Sequence, residues 1–291
     1  MGQFFDEIPE FLVSWVLQQK LFWVGTAPLG QEGHVNVSPK GGAGTFHVVD
    51  SKRVWYEDKS GSGVETIAHL RENGRITVLF NAFEGPPRIV RLFGTGTVYE
   101  FATPEYDASI PISSRKPGSR AVIMIDVHKV GTSCGYGVPF FDYRAERTRL
   151  DEMAAQKESV DNVCPTTTPH PETLTDDIDT SPNLPEDGLK LYWSQNNIKS
   201  IDGLPALLMA FKSARRFNDH PEIEALVKAK QGGGDANEVS KGKGKGLLSS
   251  PPLPSTSSVM MLMLVVLAFG TGVSAIIEKI SRVCQVQEGL P

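Results

Sequence analysis

Between Leu21 and Val130 the chain breaks into seven short segments, each rich in β-branched or aromatic residues and each bounded by Gly, Pro, Asn or Asp: Leu21–Ala27, Val35–Ser38, Thr45–Val49, Arg53–Glu57, Ile76–Phe83, Ile89–Tyr99 and Ala121–Val130. Such segments are strands rather than helices, and most of the gaps between them suit hairpins. Only one helical pattern interrupts them, Val64–Glu72, opened by Ser60-Gly61-Ser62-Gly63 and ended by Asn73-Gly74. With so few long crossovers, a doubly wound parallel sheet is disfavoured and an antiparallel barrel is expected. The predicted class is mostly β with α, preceded by an amphipathic opening helix over Ile8–Lys20 that carries Phe11, Leu12, Trp15 and Val16.

Charge is spread unevenly along the chain. Residues 1–150 are neutral overall, 151–187 carry a net −9 and 188–291 a net +4. The acidic stretch, with Pro165-Thr166-Thr167-Thr168-Pro169 and Asp176-Asp177-Ile178-Asp179, has too little apolar surface to offset its ordering entropy, so 151–187 is expected to be a disordered insertion. Gly188–Ser200 and Leu204–Arg216 read as helices around the turn Ile201-Asp202-Gly203, forming an extension over 188–230 that packs on the barrel. Residues 231–258 hold Gly232-Gly233-Gly234, alternating Lys and Gly at 241–246, and Pro251-Pro252-Leu253-Pro254, the composition of a flexible linker.

Val259–Ile277 is an uncharged apolar run, followed by the tail 278–291. At about 1.5 Å per residue a helix of this length roughly matches a hydrocarbon core of ~30 Å. The expectation is a transmembrane helix. Met1–Phe11 contains Asp6, Glu7 and Glu10 but no Lys or Arg, which is unlike a secretory signal. A single-pass C-terminal anchor, with the body on the cytosolic side, is the expected arrangement.

The net charge of −5 argues against a nucleic-acid partner. Three scattered cysteines, Cys134, Cys164 and Cys284, supply neither a disulfide framework nor a CxxC metal site, and the histidines lack ligand spacing, so no metal is expected.

Two short stretches carry the chemistry. In His34-Val35-Asn36-Val37-Ser38-Pro39-Lys40, strand alternation puts Val35 and Val37 on one face and Asn36 and Ser38 on the other, with Lys40 at the strand end. In Ser60-Gly61-Ser62-Gly63-Val64-Glu65-Thr66, glycines and hydroxyls sit at a helix N-terminus, where backbone N–H groups and the helix dipole favour a phosphate. Each has a plain structural alternative, Ser62 as a helix cap completed by Glu65 and Lys40 as a solvated loop residue.

With Gly25-Thr26-Ala27, Thr66-Ile-Ala-His-Leu-Arg-Glu-Asn-Gly-Arg-Ile76 and Ser133-Cys-Gly-Tyr-Gly-Val-Pro139 in the same order, residues 1–150 resemble the pyridoxamine 5′-phosphate oxidase-like, FMN-binding split-barrel family. Tyr192-Trp193 and Ser200-Ile-Asp-Gly-Leu-Pro205 resemble the C-terminal segment of an uncharacterised branch of it. The resemblance implies a split β-barrel and a homodimer with FMN at the subunit interface. It assigns cofactor contacts to Val37, Ser38 and Lys40, with Asp58, Ser62, Gly63 and Thr66 in or near the segment that closes on the phosphate. Better-characterised members carry basic residues in that helix-opening segment. Here phosphate affinity would lean on Lys40, Lys59, backbone dipoles and Arg91.

The reading is an FMN-dependent oxidoreductase acting on a small-molecule substrate, with Cys134 and Tyr136 as residues that could face a substrate. No general base is assigned. The alternatives are a non-catalytic module that binds or senses a flavin or another planar ligand, and a membrane-tethered scaffold with an empty pocket.

Overall fold

The computed structural model describes residues 2–163, 184–223 and 225. Eight strands form one antiparallel sheet: β1 (Gln3–Phe5), β2 (Leu21–Thr26), β3 (Asn36–Gly41), β4 (Phe46–Val48), β5 (Arg53–Lys59), β6 (Arg75–Asn81), β7 (Ile89–Glu100) and β8 (Ser119–Ser133). Their order is β3-β2-β6-β7-β8-β5-β4, and β1 pairs with the far end of β8. Five helices accompany them among the described residues: α1 (Glu10–Gln18), α2 (Glu65–Asn73), α3 (Pro104–Ser109), α4 (Arg149–Val163) and α5 (Leu189–Asn196).

The ladder is open, because β3 and β4 are both edge strands, yet the sheet curls until its ends meet. Phe46 on β4 packs edge-on against Phe22 on β2 and Phe80 on β6, at 5.1 and 5.0 Å between ring centroids. β4 lies at the opposite end of the ladder from both partners. Side chains therefore close what backbone hydrogen bonds leave split. The interior holds Val24, Val54, Tyr56, Val78, Leu92 and Ile123, all essentially inaccessible, as the alternation in each strand dictates.

α2 covers the sheet through Ile67, Ala68 and Leu70. It stops at Gly74, whose φ of 71° is the left-handed conformation that a C-terminal cap requires, with its N–H donating to the Leu70 carbonyl at 3.0 Å.

Two expectations change here. The segment Leu204–Arg216 is not a helix: Pro205 forms an isolated bridge with Lys199, and only Ala210–Lys212 makes a 3-10 turn. The reason is Glu100, whose buried carboxylate accepts the N–H groups of Leu208, Met209 and Ala210 at 2.7–2.8 Å, a competing partner for a would-be helix. The acidic stretch starting at 151 is not wholly disordered either, since α4 runs to Val163. Glu158 on α4 accepts from Arg115 Nη2 (2.7 Å) and from the Gly118 N–H (2.8 Å) and faces His220 Nε2 at 3.2 Å. Asp161 accepts from the N–H groups of Leu189 and Lys190, capping α5. On β3 the expected alternation is present, with Val35 and Val37 exposed and the polar side facing inward.

Residues 164–183, the linker 231–258 and Val259–Ile277 lie outside the described residues. Among the described residues no helix is long and apolar enough to cross a membrane.

Candidate functional site

Pro39, Lys40 and the bend Gly61–Val64 come together around one cavity of about 240 Å³, lined also by Ser38, Lys59, Glu65, Thr66 and Arg120. Antiparallel alternation delivers Ser38 and Lys40 from the inward face of β3, and the start of α2 delivers Thr66. Asn36 ties the two elements together. Its side-chain N–H donates to Thr66 Oγ1 (3.0 Å) and to Thr26 Oγ1 (3.3 Å), and its Oδ1 accepts from the Ser38 hydroxyl (2.9 Å). Thr26 in turn meets Nδ1 of the buried His69 at 3.0 Å, and burial lowers the pKa of that imidazole, favouring its neutral form.

The cations rest on Asp58. Lys40 Nζ lies 2.8 Å from its Oδ1 and Arg120 Nε lies 2.8 Å from its Oδ2. Burial alone would raise the pKa of this carboxyl, but the two cations outweigh it and bring it down to about 2. Arg120 also reaches the bend, donating to the carbonyls of Gly61 (3.4 Å) and Gly63 (2.9 Å). The N–H groups of Gly61, Ser62, Gly63 and Val64 donate to no protein acceptor among the described residues. Four free donors beside two cations at the head of a helix suit an anion. The Glu65 carboxylate lies 2.6 Å from where a Cβ at Gly63 would stand, so a side chain there would have to push that carboxylate aside.

A larger cleft of about 1160 Å³ adjoins this one, sharing Pro39, Lys40, Lys59 and Gly61. Its walls include Trp15, Phe22, Phe83, Phe141 and Tyr143. Phe141 is held there by a hydrogen bond from its N–H to the Phe83 carbonyl (3.1 Å) and by an edge-on ring contact with Phe83. An anion-sized pocket opening into an aromatic-walled cleft can receive a phosphorylated planar molecule.

Not all of the residues expected from sequence meet at this site. Ser38, Lys40, Ser62, Gly63 and Thr66 line the small cavity. Asp58 lies beneath it and holds the cations instead of facing a ligand. Val37 points from the other face of β3 and is exposed. Lys59 lines both cavities but is paired with Asp151. Arg91 is elsewhere, with its Nη1 3.5 Å from Ser133 Oγ, and Cys134 and Tyr136 line neither cavity. Ser62 is not a helix cap, for α2 begins after Val64 without a side-chain cap.

Arg120 escapes a reading of the sequence. The only trace of it there is a lone cation at the head of the apolar run Ala121–Ile125, and its role depends on β8 pairing with β5 so that Ala121 stands opposite Asp58.

A sequence model of the family described as pyridoxamine 5′-phosphate oxidase matches residues 8–134. The chain belongs to the pyridoxamine 5′-phosphate oxidase family. It is 39% identical over 220 residues to the pyridoxamine 5′-phosphate oxidase family protein ustO of Aspergillus flavus, covering 75% of this chain and 82% of that protein. Among solved structures, Group A Streptococcus HupZ is 22% identical at a TM-score of 0.35, over 42% of this chain and 91% of its own. A putative pyridoxamine 5′-phosphate oxidase from Listeria innocua is 14% identical at a TM-score of 0.31, over 42% of this chain and 94% of its own.

Proposed function

We propose that the protein is a flavin-dependent oxidoreductase that holds FMN with its phosphate in the small cavity and its ring toward the aromatic cleft. Family membership supports this reading, and the observation that carries it is a 240 Å³ cavity lined by Lys40, Arg120 and the Gly61–Val64 bend, whose N–H groups have no protein acceptor among the described residues. FMN, when bound, supplies the hydride or electron transfer. The protein's part is to bind and orient. Lys40 and Arg120 offset the phosphate charge, the bend supplies donors, Ser38 and Thr66 offer hydroxyls, and the aromatic walls exclude water. The rest of the large cleft leaves space for a small-molecule substrate beside the ring.

One observation favours a second reading, a module that binds or senses a flavin without turning it over. Lys59 is already paired with Asp151, Lys40 and Arg120 share Asp58, and Glu65 lines the cavity, so little cationic charge is left uncompensated. Weak, reversible binding would suit a sensor.

The absorption spectrum of the purified protein tests both. Bound or added flavin that is bleached by a reduced nicotinamide or another donor supports the oxidoreductase. Bound flavin that no donor reduces supports the sensor, and failure to take up added FMN removes both.

Two further proposals concern assembly. The exposed Val35 and Val37 at an edge strand support a homodimer, because a second copy would remove them from water. The uncharged run Val259–Ile277 supports a C-terminal membrane anchor with the body in the cytosol. Deleting 259–291 should move a membrane-bound protein to the soluble fraction; a full-length protein already soluble without detergent would contradict the anchor.

A further inference from the structure

We infer that Asn197 and Trp193, more than 130 residues further along the chain, are positioning residues that aim the N–H groups of the Gly61–Val64 bend into the cavity. The inference rests on the proposed binding of a phosphate there and adds the part of the molecule that makes it possible.

The bend is held at two points by this segment. Asn197, wholly buried, donates its side-chain N–H to the Gly61 carbonyl at 3.0 Å. Trp193, also wholly buried, donates its indole N–H to Ser60 Oγ at 2.7 Å, and that hydroxyl donates onward to the Gly118 carbonyl at 2.6 Å. The Ser60 N–H goes to the same Gly118 carbonyl, so the residue entering the bend is fixed on both sides.

A trans peptide is planar, with C=O and N–H pointing in opposite directions. Drawing the Gly61 carbonyl toward Asn197 therefore turns the Ser62 N–H the other way. Arg120 holds the Gly63 carbonyl at 2.9 Å and also reaches the Gly61 carbonyl at 3.4 Å, so the peptide planes that follow Gly61 and Gly63 are tied down. Glycines at 61 and 63 would otherwise let these planes rotate freely. Without these contacts the bend would have to be ordered by the ligand itself, at a cost in affinity.

The indole is in turn fixed by Phe101 and Phe217, at 5.9 and 5.7 Å between ring centroids, and Asn197 by the backbone bond from its N–H to the Trp193 carbonyl at 2.8 Å. The extension is thus a buttress for the site.

The test compares FMN with riboflavin, which shares the ring but lacks the phosphate, by quenching of flavin fluorescence on the full-length protein. Asn197→Ala and Trp193→Phe each remove one donor. Each is expected to weaken FMN binding about tenfold, the loss of one hydrogen bond's worth of ordering, while riboflavin binding stays within about twofold. Ser60→Ala reads the Trp193 leg without altering the indole packing, and it keeps the test open should Trp193→Phe fold poorly.

A merely structural role would lower both affinities together. That result, or an unchanged ratio of FMN to riboflavin in Asn197→Ala and Ser60→Ala, overturns the inference. If the unsubstituted protein takes up no FMN, the functional reading falls and the inference with it. If it does, and only the variants fail to respond, the functional reading stands and the inference alone is lost.

Discussion

Lys40 Nζ on β3 lies 2.8 Å from Asp58 Oδ1 on β5, although the two strands are separated by β2, β6, β7 and β8 along the sheet. This salt bridge spans the split that backbone pairing leaves open, and its lysine faces the candidate anion pocket. One ion pair thus belongs both to the closure of the barrel and to the site. Changing either residue should move stability and ligand affinity, though by different routes.

Lys40→Ala removes one of the three cations that line the cavity, Lys59 being paired with Asp151, but leaves Asp58 its bond to Arg120. FMN affinity should fall by roughly 1.5–3 kcal/mol, the range for a charge-assisted hydrogen bond, and riboflavin affinity should hardly change. Flavin fluorescence titration of both ligands checks this. Unaltered FMN binding would return Lys40 to a purely structural role.

Asp58 ties stability to pH. Its folded pKa of about 2 lies below the ordinary 3.8, so its contribution is fully present above about pH 4 and is lost as pH falls through about 2. The shift corresponds to about 2 kcal/mol at neutral pH. Asp58→Asn should lower the urea midpoint at pH 7 and have a much smaller effect near pH 2. An equal loss at both values would show that the ion pairs contribute nothing to the acid limb.

The pairing of Glu158 with Arg115 is buried on both sides, and Glu158→Ala would strand the guanidinium. A loss of about 3–5 kcal/mol is expected, since breaking a buried pair leaves an uncompensated charge. Chemical denaturation measures it. A cost below about 1 kcal/mol, typical of exposed pairs, would mean that water reaches Arg115.

Glu100 should govern the docking of residues 204–212. Removing its carboxylate by Glu100→Ala orphans three backbone N–H groups and the bond from Arg71. Hydrogen exchange at Leu208–Ala210 should then accelerate toward that of an open segment while β6 and β7 stay protected. Unchanged protection at these amides would locate the docking energy elsewhere.

Local pattern makes the barrel strands legible: each of the seven segments becomes a strand, because alternation and turn residues act within a few positions. The three-residue β1 is too short to show a pattern, and only its pairing with Gly131 and its neighbours on β8 defines it. Leu204–Arg216 reads as a helix because its apolar residues allow one, while the competing acceptor, Glu100, lies over a hundred residues earlier. The acidity of 151–163 points to disorder, yet Glu158 and Asp161 find Arg115, His220, Leu189 and Lys190, partners no local window contains.

The site divides in the same way. Ser38, Lys40, Ser62, Gly63 and Thr66 lie in two compact motifs that the sequence displays; Arg120 and Asn197 act only through tertiary contact and are invisible there, and Trp193 stands out as part of a motif whose contact with Ser60 the sequence does not show. Val37 shows the limit of alternation alone. It establishes that Val37 and Ser38 face opposite ways, but not which way is inward.

The most direct measurement is the difference in affinity between FMN and riboflavin for the unsubstituted full-length protein. A phosphate seated among four backbone donors, Lys40 and Arg120 should make FMN tighter by at least about tenfold, more than one ordinary hydrogen bond supplies. Equal affinities, or tighter binding of riboflavin, would contradict an anion site at the Lys40–Gly63 corner and the function built upon it.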